Sequence, residues 1–82
     1  MRALSMRHTV VPASEREAFR TRARAARAHY TGAGCRYWVY EEDQLSDGYV
    51  EFFEAADKET LVRAHGATSQ PPSRLYLEVD LT

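Results

Sequence analysis

Between Ala3 and Val11 apolar and polar positions alternate, and Leu4, Met6, His8 and Val10 fall together on one face. A period of two marks a strand, and Pro12–Ala13 closes it. Ser14, followed three residues on by Glu17, has the spacing of a capping box: the hydroxyl accepts a helical N–H and the glutamate reaches back. A helix is therefore predicted to run from here to Tyr30. Its apolar stripe, Phe19, Ala23, Ala26 and Tyr30, is narrow and rich in alanine, which suits close approach to a sheet. Arg16, Arg20, Arg24 and Arg27 form an adjoining basic stripe. Gly32 and Gly34 supply the helix stop.

Cys35 to Glu41 is dense in β-formers, with Cys35, Tyr37 and Val39 pointing one way and Arg36, Trp38 and Tyr40 the other. Glu42–Gly48, containing Asp47-Gly48, reads as a hairpin turn. Its partner strand is Tyr49–Glu54, again aromatic on both faces. Asp57 caps a short helix to His65, which Gly66 ends, and Thr68–Ser73 with Pro71-Pro72 forms a loop. Arg74 to Leu81 alternates strictly, so a last strand is expected with Leu75, Leu77, Val79 and Leu81 inward.

The order βαββαβ predicts an α+β fold, a ferredoxin-like sandwich in which two helices cover one face of an antiparallel sheet, as a single domain over residues 1–82. The aromatic residues on the other face then need a second layer. A symmetric copy of the same sheet is the economical supply, so a homodimer by face-to-face sheet packing is expected.

Composition narrows the class further. At 82 residues the chain is one small domain, which leaves much of its surface exposed and a lone monomer marginal. Hydrophobic residues at 44% make it too apolar for a disordered chain. Cys35 is the lone cysteine, so an internal disulfide framework and a four-cysteine zinc site are both excluded. No apolar run approaches the ~18 residues of a membrane span, and no secretory signal pattern opens the chain. No membrane partner and a cytoplasmic setting are the expectations.

The net charge of −1 hides an asymmetry. Residues 1–40 carry eight arginines against two acids, and residues 41–82 carry three basic residues against ten acids. The plainest expectation is that these opposite charges face each other or water, within a subunit or across a dimer.

The segments Gly32–Ala33–Gly34–Cys35, Tyr37–Trp38–Val39–Tyr40, Tyr49–Val50–Glu51–Phe52–Phe53–Glu54–Ala55 and Glu59–Thr60–Leu61–Val62–Arg63–Ala64–His65 together resemble the antibiotic biosynthesis monooxygenase family. In that family a glycine-cysteine step opens the second strand, a glutamate-bearing third strand follows, and a short helix carries a leucine and, four residues later, a histidine. The resemblance implies a dimeric α+β barrel with a cavity between sheet and helices in each subunit. It also implies a cofactor-independent oxygenase acting on quinols or polycyclic phenols, or a relative that degrades haem. His65 matches the family's helical histidine, and Glu51 or Glu54 its strand glutamate. This chain departs from the pattern after His65. Gly66 ends the helix early, no second histidine follows to ligate haem, and the sequence contains no asparagine.

In the oxygenase reading His65 moves a proton, because its unperturbed pKa lies near neutrality, about 6.5. Trp38 and Tyr40 stack on a flat substrate, and Arg36 stabilises an oxyanion. His8, with His65 and Glu51, would form a polar spot in the apolar cavity. Each residue also has a structural reading. His65 would bond the last helical carbonyls or a strand side chain, and Trp38 would belong to the core or to an interface. Cys35 reads as a small buried hydrophobe, and His29 as a complement to the helix dipole. No cofactor and no metal are expected, since no spacing makes three ligands converge. RNA-recognition domains share the element order, but Asp47, Glu51 and Glu54 would stand beside phosphates and the arginines on the helical side, so no nucleic-acid partner is expected. Two functions remain open at this point: a small monooxygenase-like protein binding or oxidising an aromatic quinol-type molecule, and a non-catalytic dimeric binding or interaction module.

Overall fold

The computed structural model describes residues 1–44, 47–68, 71–72 and 74–82. Four strands, β1 (Ala3–Val10), β2 (Arg36–Glu41), β3 (Gly48–Ala55) and β4 (Tyr76–Leu77), form one antiparallel sheet in the order β2-β3-β1-β4. Helices α1 (Arg16–Gly32) and α2 (Lys58–Gly66) pack on one side of it. This is the ferredoxin-like arrangement expected from the element order. The tip of the β2–β3 hairpin and part of the loop before β4 lie outside the described residues.

The helix-facing side of the sheet carries Ala3 and Ser5 from β1, Tyr37 from β2 and Glu51, Phe53 and Ala55 from β3, all buried. Ala3, Tyr30, Cys35, Tyr37, Phe53, Ala55, Leu61 and Ala64 make one core cluster, and a smaller one joins Val11, Phe19 and Tyr49. The α1 stripe of Phe19, Ala23, Ala26 and Tyr30 is the face that meets the sheet, as its spacing implies. Phe53 is the hub. Its ring lies 4.8 Å from Tyr30 edge-on, 5.2 Å from Tyr37 and 5.2 Å from His65. Removing a buried ring of this kind costs about 3–5 kcal/mol.

Three local expectations need correction. The Ser14–Glu17 capping box does not form. A 3-10 turn over Ala13–Glu15, closed by Glu15 N–H donating to the Pro12 carbonyl, precedes α1, and no side chain caps the helix. Pro12 is extended at ψ 152°, so the chain turns before it coils and Ser14 lies one step too early to cap. Asp57, in contrast, does cap α2, its carboxylate accepting the Thr60 N–H at 2.8 Å.

The second correction concerns β4, which pairs only at Tyr76–Leu77, opposite Leu4 and Ala3. Leu75 is partly buried against the core, but Leu77, Val79 and Leu81 are 46, 70 and 90% exposed rather than inward. Because β1 begins at Ala3, pairing ends with the Glu78 N–H donating to the Arg2 carbonyl at 2.9 Å, and the residues after it run past the end of the sheet. The third correction is the direction of β1. Leu4, Met6, His8 and Val10 do share a face, but it is the face away from the helices, with His8 and Val10 exposed.

Opposite charges of the two halves do meet within the subunit. Arg7–Glu51 (2.8 Å), Arg36–Glu54 (3.1 Å), Arg16–Asp47 (3.4 Å) and Arg2–Glu54 (3.5 Å) each join an arginine of the first half to an acid of the second.

Candidate functional site

β1 and β3 place Arg7 directly opposite Glu51, and β2 puts Tyr37 one diagonal step away. Cross-strand neighbours at this spacing are close enough to bond. Arg7 donates from Nε to Glu51 Oε1 at 2.8 Å and from Nη2 to Oε2 at 3.2 Å, while the Tyr37 hydroxyl donates to Oε2 at 2.7 Å. The Glu51 side chain is only 5% exposed, so this bidentate, charge-assisted pairing is what makes a buried carboxylate tolerable. The glutamate raises the Arg7 pKa, chiefly through the hydrogen bond. Burial, and then the bond to Glu51, pushes the Tyr37 phenol far above its usual value.

A second polar chain crosses from α1 through α2 to β1. Tyr30 and His65 share a hydrogen bond of 2.7 Å at Nδ1, and His65 Nε2 meets Ser5 Oγ at 3.0 Å. His65 is buried because it sits four residues after Leu61, on the face of α2 turned to the sheet. Burial first, then the charges of Arg7 and His29, lowers its pKa below 6.5. The imidazole is therefore neutral at pH 7, with one nitrogen protonated and one accepting. Burial raises the Tyr30 phenol pKa.

Beside these two chains α1 and the sheet leave a cleft of about 470 Å³. Ala23 and Ala26 create it, since a methyl group stands where a larger side chain would reach the sheet. Phe19, Tyr30 and Phe53 form its aromatic wall, Arg7 and Glu51 its polar floor, and Arg22 and His29 further lining on α1. His65 is one hydrogen bond behind Tyr30. The site thus has an apolar surface for a flat ring, a fixed guanidinium–carboxylate pair, and a phenol connected to a neutral imidazole.

Of the sequence candidates, His65 and Glu51 lie on this helix-facing side. Trp38, Arg36, Tyr40 and His8 do not; they occupy the opposite face of the sheet, because each is one residue out of phase with Tyr37 or Arg7. The polar spot expected from His8, His65 and Glu51 is accordingly not assembled: His8 Nδ1 instead stands 3.8 Å from Glu42. On that outer face Trp38 stacks on Phe52 at 5.4 Å, Tyr40 meets Phe52 edge-on at 5.6 Å, and the Arg36 guanidinium lies 4.8 Å from the Trp38 ring centre. Glu54, the other candidate for the strand glutamate, pairs there with Arg36 and Arg2.

Arg7, Tyr30, Tyr37 and Ser5 belong to the site and carried no signal by residue type alone. Alternation through Arg7 and Glu51, once the β1–β3 pairing is known, is what relates them. His29 does more than complement a dipole: its Nε2 is 2.9 Å from the Ala64 carbonyl, to which it donates, tying α1 to α2. Cys35 is buried, and burial raises its pKa, which keeps the thiol protonated. Among the described residues no group of three His, Cys, Asp or Glu could hold a metal ion, and no helix is long and apolar enough to cross a membrane.

No protein-family model matches the chain, and no curated protein matches it. Among solved structures, that of Rv0793 from Mycobacterium tuberculosis is similar over 98% of this chain and 97% of its own, with a TM-score of 0.68 and 14% sequence identity. At that identity the likeness is one of fold: this chain shares with Rv0793 an end-to-end α+β architecture.

Proposed function

We propose that the cleft between α1 and the sheet binds a flat, hydroxylated aromatic molecule of quinol type, and that the protein oxidises it with dioxygen as a small, cofactor-independent monooxygenase-like enzyme. The observation that carries the reading is the Tyr30–His65 pair at the edge of a ring-sized cleft whose wall is aromatic. A phenol bound there meets the Tyr30 hydroxyl, and a proton passed to Tyr30 is matched by one passed from Tyr30 to His65 Nδ1. The neutral imidazole is in the right state to accept it, and the Arg7–Glu51 pair, neutral overall, sets a fixed dipole in the floor beside the phenolate. An electron-rich phenolate is the form that reacts with dioxygen. The resemblance of the strand and helix motifs to the antibiotic biosynthesis monooxygenase family supports the same reading, with Glu51 at the strand position and His65 at the helical one.

In this reading the subunits pair through the outer faces of their sheets. Trp38, Phe52, Tyr40 and Met6 form an aromatic and apolar surface there, the composition that interface cores favour. That placement also supports the second reading, a non-catalytic dimeric binding or interaction module. With Trp38, Arg36 and Tyr40 on the outer face, the stacking and oxyanion roles pass to Tyr30, Phe53 and Arg7.

Oxygen uptake by metal-stripped protein with a panel of naphthalene and anthracene quinols tests the proposal. Uptake above the uncatalysed rate, reduced at least about tenfold by Tyr30→Phe, is the expected result for a proton relay. Tyr30→Phe keeps the ring, and circular dichroism verifies that it folds. Protein-independent uptake throughout the panel would overturn the enzymatic reading in favour of the binding module.

A further inference from the structure

The cleft is not electrically neutral. Two arginines, Arg7 and Arg22, and one carboxylate, Glu51, line it. Glu51 is fully engaged, with both oxygens accepting from Arg7 and one also from Tyr37. That pair cancels locally and leaves Arg22 as the charge without a counter-ion: among the described residues no carboxylate pairs with it. Arg22 and His29 stand seven residues apart on α1, with Ala26 between them, and so share one face of the helix. His29 Nε2 donates to the Ala64 carbonyl, so Nδ1 of that tautomer is an acceptor and the donor toward an anion on this face is Arg22. Opposite them lie Phe53 and Tyr30, whose rings keep water off one side of whatever binds. Arg22 is exposed at the mouth of the cleft, and a ligand whose rings lie against the apolar wall takes water from around it and strengthens its hydrogen bonds to an anion.

We propose that the cleft selects anionic aromatic ligands: a fused-ring carboxylate whose rings lie against Phe19, Tyr30 and Phe53 and whose carboxylate takes a two-point hydrogen bond from Arg22. The inference rests on the reading of the cleft as an aromatic site and adds its specificity. Arg20, Arg24 and Arg27, exposed like Arg22 but outside the cleft lining, strengthen the attraction at a distance and are not the contact. Arg24 in particular opens onto a different recess, at the β2 edge with Trp38.

The test compares two ligands that differ in one charge, 6-hydroxy-2-naphthoate and 6-hydroxy-2-naphthamide, titrated at pH 7 and low salt by calorimetry and by NMR of the full chain. The carboxylate is expected to bind at least about tenfold more tightly, the lower end of what a hydrogen bond to a charged group contributes. Arg22→Gln is expected to bring the two ligands within about twofold of each other, with carboxylate binding losing far more than amide binding. Arg24→Gln is expected to keep most of the preference. Equal losses in the two variants would show a diffuse helix field and overturn the assignment to Arg22. Equal affinity of the wild-type chain for both ligands would overturn the anionic specificity and leave the aromatic site standing. Binding of neither ligand would overturn both.

Discussion

Glu51→Ala is the sharpest perturbation of the site. The glutamate accepts three hydrogen bonds, two from a guanidinium and one from a buried phenol. Its removal leaves the Tyr37 hydroxyl, on a residue 8% exposed, without an acceptor, at about 1–3 kcal/mol for an unsatisfied buried group. It also leaves Arg7 without its counter-ion. Breaking a fully buried pair costs about 3–5 kcal/mol, but the Arg7 side chain is 35% exposed and can recover water, so only part of that applies. We expect a combined loss of about 3 kcal/mol, which in a domain of this size lowers Tm by roughly 12–24 °C, at 4–8 °C per kcal/mol. Urea denaturation at fixed protein concentration measures it, since an oligomer's stability depends on concentration. Tyr37→Phe should cost about 1 kcal/mol, because Glu51 keeps Arg7. The double variant should lose less than the sum of the two, because each single change already breaks the same bond. A loss below about 1 kcal/mol for Glu51→Ala would refute the account of this cluster as a tightly coupled buried pair.

Three other outcomes follow from the same geometry. His65 is buried neutral with a lowered pKa, so its contribution to stability is unchanged above the unfolded-state value of about 6.5 and is lost as pH falls toward the folded-state value; a pH series should show this fall in the wild type, and His65→Gln should lack that component. Ala26→Leu fills the cleft without removing a polar group, so ligand affinity should drop at least about tenfold while stability falls by no more than the roughly 1–3 kcal/mol that added methylenes cost; unchanged affinity would place the ligand elsewhere. Trp38→Asp puts a charge in the centre of the proposed sheet-to-sheet interface, so light scattering should shift from twice the 9.4 kDa chain mass to the chain mass itself, whereas a wild type that is already monomeric at micromolar concentration would remove the face-to-face dimer.

The fold was legible because its signals are local. The α1 stripe at three- and four-residue spacing, the Gly34 stop, the Asp57 cap and the two-faced character of β3 each follow from neighbouring residues and survive in the structure, while Gly32, expected to share the stop, is the last residue of α1 itself. Gly34 sits at φ +83°, where a side chain would be strained, so that stop is a backbone requirement. The Ser14 capping box failed for an equally local reason, the extended Pro12 and the 3-10 turn after it. The last strand failed for a non-local one. Its alternation is real, but how much of it pairs is set by where β1 begins.

The site was half legible. His65 and Glu51 stood out by residue type and position, but alternation says only that a strand has two faces and not which face the helices take. On hydrophobicity Leu4 and Met6 look like the inner set of β1, and the structure instead turns Ala3, Ser5 and Arg7 inward. That choice is possible only because His65 stands over Ser5 and Glu51 stands beside Arg7, which turns polar positions into satisfied ones.

What the chain determined by itself is therefore the set of elements, their order and the two-faced character of each strand, since these depend on backbone propensity and on spacings of two and about four residues. The tertiary structure alone decided which face is inner, and with it that Tyr30, His65, Arg7 and Glu51 share the side of the cleft while Trp38, Arg36, Tyr40 and His8 lie behind the sheet. Shifting a strand by a single residue exchanges its faces, and the energy that forbids the shift comes from hydrogen bonds between residues up to 60 positions apart, which no local pattern contains.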